Sequence, residues 1–290
     1  MAIRESSGII MKDDHSFFTI NDSGGGSIVY EIDERGNLLK SFLVGNAINH
    51  DWEELARDDS LHLYIGDNGN NLNKRRNLAI LKTSLPTNTH FDSIMSSMIS
   101  FRYPDQQQFP PSPANWNFDC EAFFHLGDSL YLFSKNNSNP SSGFTKLYRL
   151  PDQQGLYVAQ LMDSFQLNEP VTAAAVSNDG KTVVLLTYYS LCIFKDFPGK
   201  DFFRGKMYRL GIRGFTQREA ICFINDHELM LTDERQWFKG GKIYSVDLNA
   251  IGLTNSSANY STSFFKKMFY NAFNNPRSAY KKIMRQAVAQ

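Results

Sequence analysis

The sequence contains few cysteines, carries no net charge and has no long apolar run. Its 290 residues include three cysteines, and its 30 basic side chains balance 30 acidic ones. Cys120, Cys192 and Cys222 lie far apart within apolar segments, which predicts buried free thiols and argues against a disulfide framework or a cysteine metal site. Because no net field attracts phosphate groups, we do not expect nucleic acid as a partner.

Membrane-directing segments are also missing from the sequence. No apolar run approaches the ~18 residues that a membrane-spanning helix needs. The first residues, MAIRESSGII, lack the charged region and the apolar region of a signal peptide. We therefore expect a soluble and cytoplasmic protein, and we expect it to be a monomer.

What the sequence does contain is a succession of short β-like segments between residues 5 and 248. They are rich in β-branched and aromatic residues and are separated by turns such as NDGK and KGGK. A recurring octet precedes several of them. It reads NHDWEELA at 49–56 and NFDCEAFF at 117–124, with a shorter echo, QREAICFI, from Gln217. The return of this pattern indicates an internal repeat.

Five repeat units can be counted along the chain. Their anchors are Ser7, Glu53, Glu121, Ala173 and Glu219. The spacings are 46, 68, 52 and 46 residues, and the long second unit contains a Pro- and Gln-rich insertion, YPDQQQFPPSPANW. Four-stranded repeats of about 40–50 residues are typical of β-propeller blades. We predict an all-β fold, a five-bladed β-propeller over residues 1–254, in which Met1–Arg4 completes the fifth blade. A β-sandwich is the alternative.

The C-terminal segment has a different pattern. Apolar residues recur at helical spacing in SFFKKMFYNAFN and again after Pro276. This spacing predicts a C-terminal amphipathic helical extension over residues 255–290. Its aromatic face could pack on the propeller, which we favour, or contact a membrane or a protein partner, because the segment is basic and carries no acid.

Strand geometry brings the acidic octet residues together. Side chains alternate along a strand, so Asp51 and Glu53 share a face while Trp52 points into a packing layer. If each octet opens the innermost strand of its blade, Glu53, Glu121 and Glu219 converge on the axial channel. The next strand runs antiparallel, so its end lies beside the octet. Those ends and the loops after them supply candidate ligand-binding residues: Asn21, Asp22, Asp67, Arg76, Lys135, Tyr188, Asp233 and Arg235.

Converging carboxylates repel one another unless a cation lies among them or some are protonated. The candidate ligand atoms are oxygens, so the sequence predicts calcium rather than zinc at Glu53, Glu121 and Glu219. A water-filled polar channel is the alternative. The six histidines show no ligand spacing and are interpreted as ordinary surface or core residues.

A further indication comes from a series of motifs between residues 5 and 248. In order they read ESSGII, NDSGG, DWEELA, YIGDNGNN, VTAAAVSNDGKTVVLLTY, and TDE followed by GGKIY. In these motifs the sequence resembles a group of bacterial propeller proteins akin to the SdiA-regulated propellers and, more distantly, to the esterase-like phytase and calcium-activated nucleotidase propellers. The resemblance implies a calcium ion on the axis at the positions of Glu53, Glu121 and Glu219. The sequence departs from this pattern in two blades, because Ser7 and Ala173 occupy positions where a carboxylate could stand. Many relatives are exported.

Two functions follow from these observations. The first is a calcium-supported binding or scaffold module for a small-molecule or protein ligand, with its ligand surface at the mouth of the axial channel. The second is a metal-dependent hydrolase of a phosphate or carboxylic ester. In that case Asp67 or Asp233 would act as the base, and Lys135, Arg76 and Arg235 would contact the phosphate. Because no nucleophile and base constellation is recognisable, we favour the binding module and assign no catalytic residue.

Overall fold

The computed structural model describes residues 3, 6–13, 15–24, 26–60, 62–84, 93–212, 217–233 and 241–250. In this part of the chain the secondary structure is almost entirely β, with two short 3-10 helices, Pro113–Asn115 and Phe202–Arg204. No helix within it is long and apolar enough to cross a bilayer. The predicted helical extension over 255–290 lies outside the described residues.

The strands form five sheets, which we number as blades 1 to 5 in chain order. Blade 1 contains β1 (Ser6–Asp13), β2 (Ser16–Asn21), β3 (Ile28–Asp33) and β4 (Leu38–Val44). Blade 2 contains β5 (Trp52–Arg57), β6 (His62–Asp67), β7 (Leu78–Ser84) and, after the short strand β8 (Ser93–Ile94), β9 (Ser96–Arg102). Blade 3 contains β10 (Asp119–Leu126), β11 (Ser129–Lys135), β12 (Phe144–Pro151) and, after β13 (Gly155–Val158), β14 (Gln160–Gln166).

Blades 4 and 5 complete the series. Blade 4 contains β15 (Val171–Val176), β16 (Thr182–Thr187), β17 (Ser190–Lys195) and β18 (Lys206–Gly211). Blade 5 contains β19 (Arg218–Phe223), β20 (Glu228–Asp233) and β21 (Ile243–Asp247). Within each blade, the main strands pair antiparallel in chain order.

The first strands of the five blades form a closed ring. β1, β5, β10, β15 and β19 contact one another in that order, and β19 returns to β1. The predicted five-bladed propeller is therefore confirmed, the octets lie on its innermost strands, and the β-sandwich alternative is wrong.

Apolar side chains fill the spaces between neighbouring blades. Five buried clusters occur, one for each interface of the ring. Trp52 has no exposed surface and packs with Phe18 and Ile65 between blades 1 and 2, as the strand alternation predicts. Each fully buried Leu, Ile or Phe contributes roughly 1.5–3 kcal/mol. The three cysteines are buried free thiols, also as predicted.

Two short strands join neighbouring blades. β13 leaves blade 3 and pairs in parallel with β9 of blade 2, while β8 pairs in parallel with β4 of blade 1. The repeat pattern does not predict them, because both come from segments that connect the repeating strands. Each extends the hydrogen-bonded sheet of one blade with chain from a later part of the sequence.

The closing blade has three strands within the described residues. Ile3 is 3% exposed and belongs to the apolar cluster between blades 5 and 1, which also contains Met230 and Ile243. The prediction that Met1–Arg4 supplies a fourth strand falls mainly on residues outside the described part of the chain. It stays a prediction, with Ile3 at the interface where that strand is needed.

Candidate functional site

Each of the five innermost strands contains a β-bulge near its first residues. The pairing register with the second strand skips one residue in every blade, and the skipped residues are Ser7, Glu53, Glu121, Thr172 and Glu219. All five are buried. A bulge redirects a side chain and bends the strand, and bulges are frequent beside functional sites. The repeat therefore encodes one redirected polar residue per blade.

The register corrects the anchor of blade 4. Sequence spacing indicated Ala173, but the residue equivalent to the three glutamates is Thr172. The Thr172 hydroxyl donates a hydrogen bond to the backbone oxygen of Arg218 at 2.7 Å. Ala173 belongs instead to the apolar cluster between blades 4 and 5. The error arises because blade 4 has no acidic residue at this position and three alanines follow Thr172, so the residue types do not fix the register.

The tightest carboxylate group lies between blades 1 and 2. Asp22, Asp51 and Glu53 each place one oxygen within 4.8 Å of the others. Asp22 follows β2, whereas Asp51 directly precedes β5. The backbone of Gly69 lies against this group, since a Cβ atom there would stand 2.5 Å from Asp51 Oδ2 and closer still to Glu53 Oε1. Only glycine allows the loop after β6 to approach these carboxylates.

The crowding changes the acidity of these groups. Burial, followed by the negative charges of Asp22 and Asp119, raises the pKa of Asp51 to about 7. Burial, followed by the charge of Glu121, raises the pKa of Glu53 well above its ordinary value. The two innermost strands thus bring mutually repelling carboxyl groups together, and these groups are most stable when they are protonated or when a cation is bound.

Glu121 of blade 3 lies beside the one lysine predicted for the site. Lys135 Nζ donates to Glu121 Oε1, and its ammonium group stands 5.4 Å from the ring centroid of Tyr188. Glu121 Oε2 is buried and has no hydrogen-bond partner among the described residues. Burial and the charge of Glu121 raise the pKa of Tyr188 to about 12. Glu219 adds a repulsive charge to Glu121, so the predicted convergence of these blades agrees with the electrostatics.

Two aspartates proposed as bases are engaged in hydrogen bonds. Asp67 Oδ2 lies 2.8 Å from His50 Nδ1, and Asp67 Oδ1 accepts from Arg75 Nη2 at 3.0 Å. Asp233 accepts from the Tyr244 hydroxyl at 2.7 Å and from the backbone N–H of Lys242. Both carboxylates brace loops beside the axis, which does not favour a role as base.

Three predicted residues remain, and each has a different position. Asn21 is buried and pairs with Ser6 in the ladder of blade 1. The guanidinium of Arg76 stacks on the Phe109 ring at 3.9 Å, while its neighbour Arg75 reaches the carboxylates. Arg235 lies outside the described residues.

Sequence reasoning also gave Asp119 no role at the site. Its Oδ1 accepts from the backbone N–H of Asn70 at 2.6 Å, and its Oδ2 accepts from Asn137 Nδ2 at 2.9 Å. Asp119 therefore ties the long loops of blades 2 and 3 together at the channel mouth. The signal that could have found it is the octet itself, because Asp119 occupies the position that Asp51 has in blade 2.

The donor set fits a hard divalent cation. It consists of carboxylate oxygens from Asp22, Asp51 and Glu53, which lie within 4.8 Å of one another, and calcium prefers oxygen ligands. Glu121 is a charged neighbour of Glu53, and its Oε2 has no hydrogen-bond partner among the described residues. Asp22, Asp51 and Glu53 would hold the ion, which would neutralise their mutual repulsion.

Comparisons with known proteins give a likeness of fold. No protein-family model matches the sequence, and no curated protein matches it. Solved structures do match, among them that of a proposed 6-phosphogluconolactonase from Bacteroides uniformis, with 12% identity and a TM-score of 0.44. The match covers 81% of this chain and 65% of that protein, so the chain spans slightly less than two thirds of its length. A likeness of this extent carries no argument about activity. The resemblance to the SdiA-regulated propellers stays a prediction.

Proposed function

We propose that this propeller is a calcium-supported binding module whose ligand surface surrounds the acidic mouth of the axial channel. The observation that carries the proposal is the group formed by Asp22, Asp51 and Glu53, whose oxygens lie within 4.8 Å of one another. Three carboxylates at this separation repel strongly in a partly buried site, and a divalent cation converts that repulsion into attraction.

Calcium is the ion that suits these ligands. The site offers oxygen donors from strands and loops of three blades, and calcium accepts six to eight oxygens in flexible geometry. Ser7 and Thr172 place hydroxyl groups where blades 1 and 4 lack a carboxylate. The ion would link the innermost strands and hold the mouth in one conformation.

The ligand surface follows from what surrounds the ion. Lys135 and Tyr188 lie together on the side of blades 3 and 4, opposite the acidic group of blades 1 and 2. A ligand with an anionic or hydroxyl group would contact the ion and Lys135 together. The long loops 68–77, 103–117 and 136–143 stand at the same end and supply further contacts for a small molecule or a protein.

A hydrolase of a phosphate or carboxylic ester is the second candidate, and one observation favours it. In the ion-free protein, burial and the neighbouring carboxylates raise the pKa of Asp51 to about 7, a value suited to a general base at neutral pH. In this candidate Asp51 flanks the ion instead of binding it. Asp67 and Asp233, in contrast, are held by other side chains. Asp51 replaces them as the residue to test.

Calcium-dependent thermal stability tests the binding proposal. The chelator-treated protein should melt at a higher temperature when calcium is added, and the Glu53→Gln, Glu121→Gln, Glu219→Gln triple variant should lose this response while keeping its far-UV circular dichroism. An unchanged calcium response in the triple variant would contradict the proposal. The loaded protein can then be screened for turnover of phosphate and carboxylic esters, with Asp51→Asn as the control variant for the hydrolase candidate.

A further inference from the structure

A second cluster of ionisable side chains lies at the opposite end of the ring. Asp58 follows β5, His125 is near the end of β10 and Asp152 follows β12. One nitrogen of His125 and one oxygen of each aspartate lie within 4.8 Å of one another. His125 is six residues beyond Asp119 on the same strand, a distance of about 20 Å at the usual rise of a strand. The cluster is therefore separate from the acidic mouth.

A buried tyrosine holds the cluster together. The Tyr64 hydroxyl lies 3.1 Å from Asp58 Oδ2 and 3.2 Å from Asp152 Oδ2, so it bridges carboxylates of two blades. Its ring stacks on the His125 imidazole with centroids 5.0 Å apart and planes at 15°. The hydroxyl has one hydrogen and can donate it to one aspartate at a time. The other carboxylate then faces an oxygen lone pair of the hydroxyl, and its further close neighbour is an imidazole: His62 Nδ1 lies 2.8 Å from Asp58 Oδ2 and His125 Nε2 lies 3.0 Å from Asp152 Oδ2.

The outer oxygens of both aspartates are oriented by further donors. The backbone N–H of His62 donates to Asp58 Oδ1 at 2.8 Å, and Gln153 Nε2 donates to Asp152 Oδ1 at 2.7 Å. The inner oxygen of Asp152 lies 3.0 Å from His125 Nε2. Outer-shell hydrogen bonds of this kind fix the direction in which metal ligands present their free oxygen. The inner oxygens and His125 Nε2 lie within 4.8 Å of one another, close enough to share one ion.

Charged groups of both signs face one another in the cluster. The carboxylates of Asp58 and Asp152 lie beside Lys82, whose Nζ stands 3.8 Å from Asp152 Oδ2. A cation at this position would therefore face two carboxylates and one ammonium group.

The cluster lies next to the axial region. A cavity of about 90 Å³ opens at this end of the ring, and His125 is part of its wall together with Arg57 and Asn178. The rest of the wall is mainly apolar, with Met11, Phe124 and Phe223 among its residues. The side chains of Asp58, His125 and Asp152 are 9%, 7% and 11% exposed, so the cluster is largely shielded from bulk water.

We propose that Asp58, His125 and Asp152 bind a divalent transition-metal ion such as zinc. One imidazole nitrogen and two carboxylate oxygens form a mixed set that suits zinc or its neighbours better than calcium, and three protein ligands leave a position open for water or a ligand. An ion at His125 Nε2 needs the lone pair of that nitrogen, so the imidazole proton would stand on Nδ1 when the ion is bound. The site is independent of the calcium proposed at the acidic mouth.

Cobalt is a suitable probe, because Co²⁺ replaces zinc and absorbs visible light when bound by nitrogen and oxygen ligands. The untagged, chelator-treated full chain should develop this absorption on titration with Co²⁺, and Zn²⁺ should abolish it by displacement. His125→Gln and Asp152→Asn should each weaken Co²⁺ binding by more than about tenfold. Circular dichroism shows whether each variant is folded, and having two variants keeps the test decisive if one is not.

The matched control is Glu121→Gln, which alters the acidic mouth and should leave the cobalt spectrum unchanged. If the cobalt absorption is lost in His125→Gln and Asp152→Asn but not in Glu121→Gln, the proposal is supported, whether or not calcium binds at the mouth. A native protein without cobalt absorption, an unchanged spectrum in the folded His125→Gln variant, or a loss in Glu121→Gln would overturn it.

Discussion

The carboxyl group of Glu54 on blade 2 accepts a hydrogen bond from the backbone N–H of Ala174 on blade 4, at 3.3 Å. Its other oxygen accepts from the N–H of Leu55 at 2.9 Å. Blades 2 and 4 are not neighbours, so this side chain spans the axial region. The residues that follow the bulge in the other blades leave room for it, since none has a side chain beyond Cβ: Gly8, Ala122, Ala173 and Ala220. Glu54 thereby separates the acidic mouth from the apolar cavity.

Truncating this side chain should destabilise the ring. Glu54→Ala removes the acceptor for Ala174 and leaves space on the axis, and a buried backbone donor without a partner costs about 1–3 kcal/mol. We expect the free energy of unfolding, measured by urea denaturation, to fall by at least that amount.

Glu54→Gln is the control for shape. It keeps the length of the side chain and one carbonyl acceptor, so it should lose clearly less stability than Glu54→Ala. Burial raises the pKa of Glu54 well above its ordinary value, which makes a neutral replacement tolerable. Equal losses in the two variants would show that the bond across the axis contributes nothing.

The bulge register gives a second prediction. Thr172→Glu places a fourth glutamate at the position of Glu53, Glu121 and Glu219. It should lower the melting temperature without calcium and tighten calcium binding by about tenfold, or ~1.4 kcal/mol, because affinity rises with ligand charge. Isothermal titration calorimetry measures the change.

Ala173→Glu is the matched variant one residue further along. Ala173 has no exposed surface and packs among apolar side chains, so a charge there should cost several kcal/mol with no calcium response. If Ala173→Glu tightened calcium binding and Thr172→Glu only destabilised the protein, the anchor inferred from sequence spacing would be right and the strand register wrong.

The sequence predicts the architecture well and the site in part. The recurring octets and the alternation at Trp52 are local patterns, and they suffice for five blades with octets on the innermost strands. Thr172 was missed because blade 4 has no carboxylate at the bulge and a run of alanines follows it, so only the strand pairing reveals the equivalent position.

Other site residues depend on contacts between distant segments. Arg75 and Arg76 are adjacent in sequence, yet Arg75 donates to the Asp67 carboxylate whereas Arg76 stacks on the distant Phe109 ring. The cluster around His125 brings together the ends of strands from two blades, so its three side chains show no recognisable spacing in the sequence.

The ion pair beside the channel supports a third prediction. The side chains of Lys135 and Glu121 are 11% and 5% exposed, and removing one partner of a buried pair costs about 3–5 kcal/mol. Lys135→Met should therefore lower the free energy of unfolding by that amount without calcium and should lose less with calcium, because the ion takes over part of the neutralisation.

Lys206→Met is the exposed counterpart. Lys206 and Asp196 are paired at 3.0 Å but are both 62% exposed, so solvent screens the pair and no measurable change is expected. A Lys135→Met variant as stable as Lys206→Met would mean that the axial charges need no compensation.

The stabilising effect of calcium should increase with pH. In the calcium-free protein the pKa of Asp51 is about 7, above its ordinary value of 3.8, so between these values the folded state binds more protons than the unfolded state. Stability from this group is full below the lower value and is lost as the pH rises through the higher one. Calcium binds the ionised carboxylates and should reverse that loss. At a calcium concentration ~100 times the dissociation constant the gain is about 2.7 kcal/mol.

Thermal unfolding with calcium and with chelator, from about pH 5 to about pH 8, checks this expectation. The melting temperature in chelator should fall as the pH rises, and the difference between the melting temperatures with calcium and with chelator should increase. The asparagine of the Asp51→Asn variant cannot ionise. The melting temperature of this variant in chelator should therefore fall less steeply with pH, and calcium should raise it by less at about pH 8. If the difference for the native protein were constant across this range, the ion would not be bound by carboxylates that titrate in it, and Asp51 would have no part in the site.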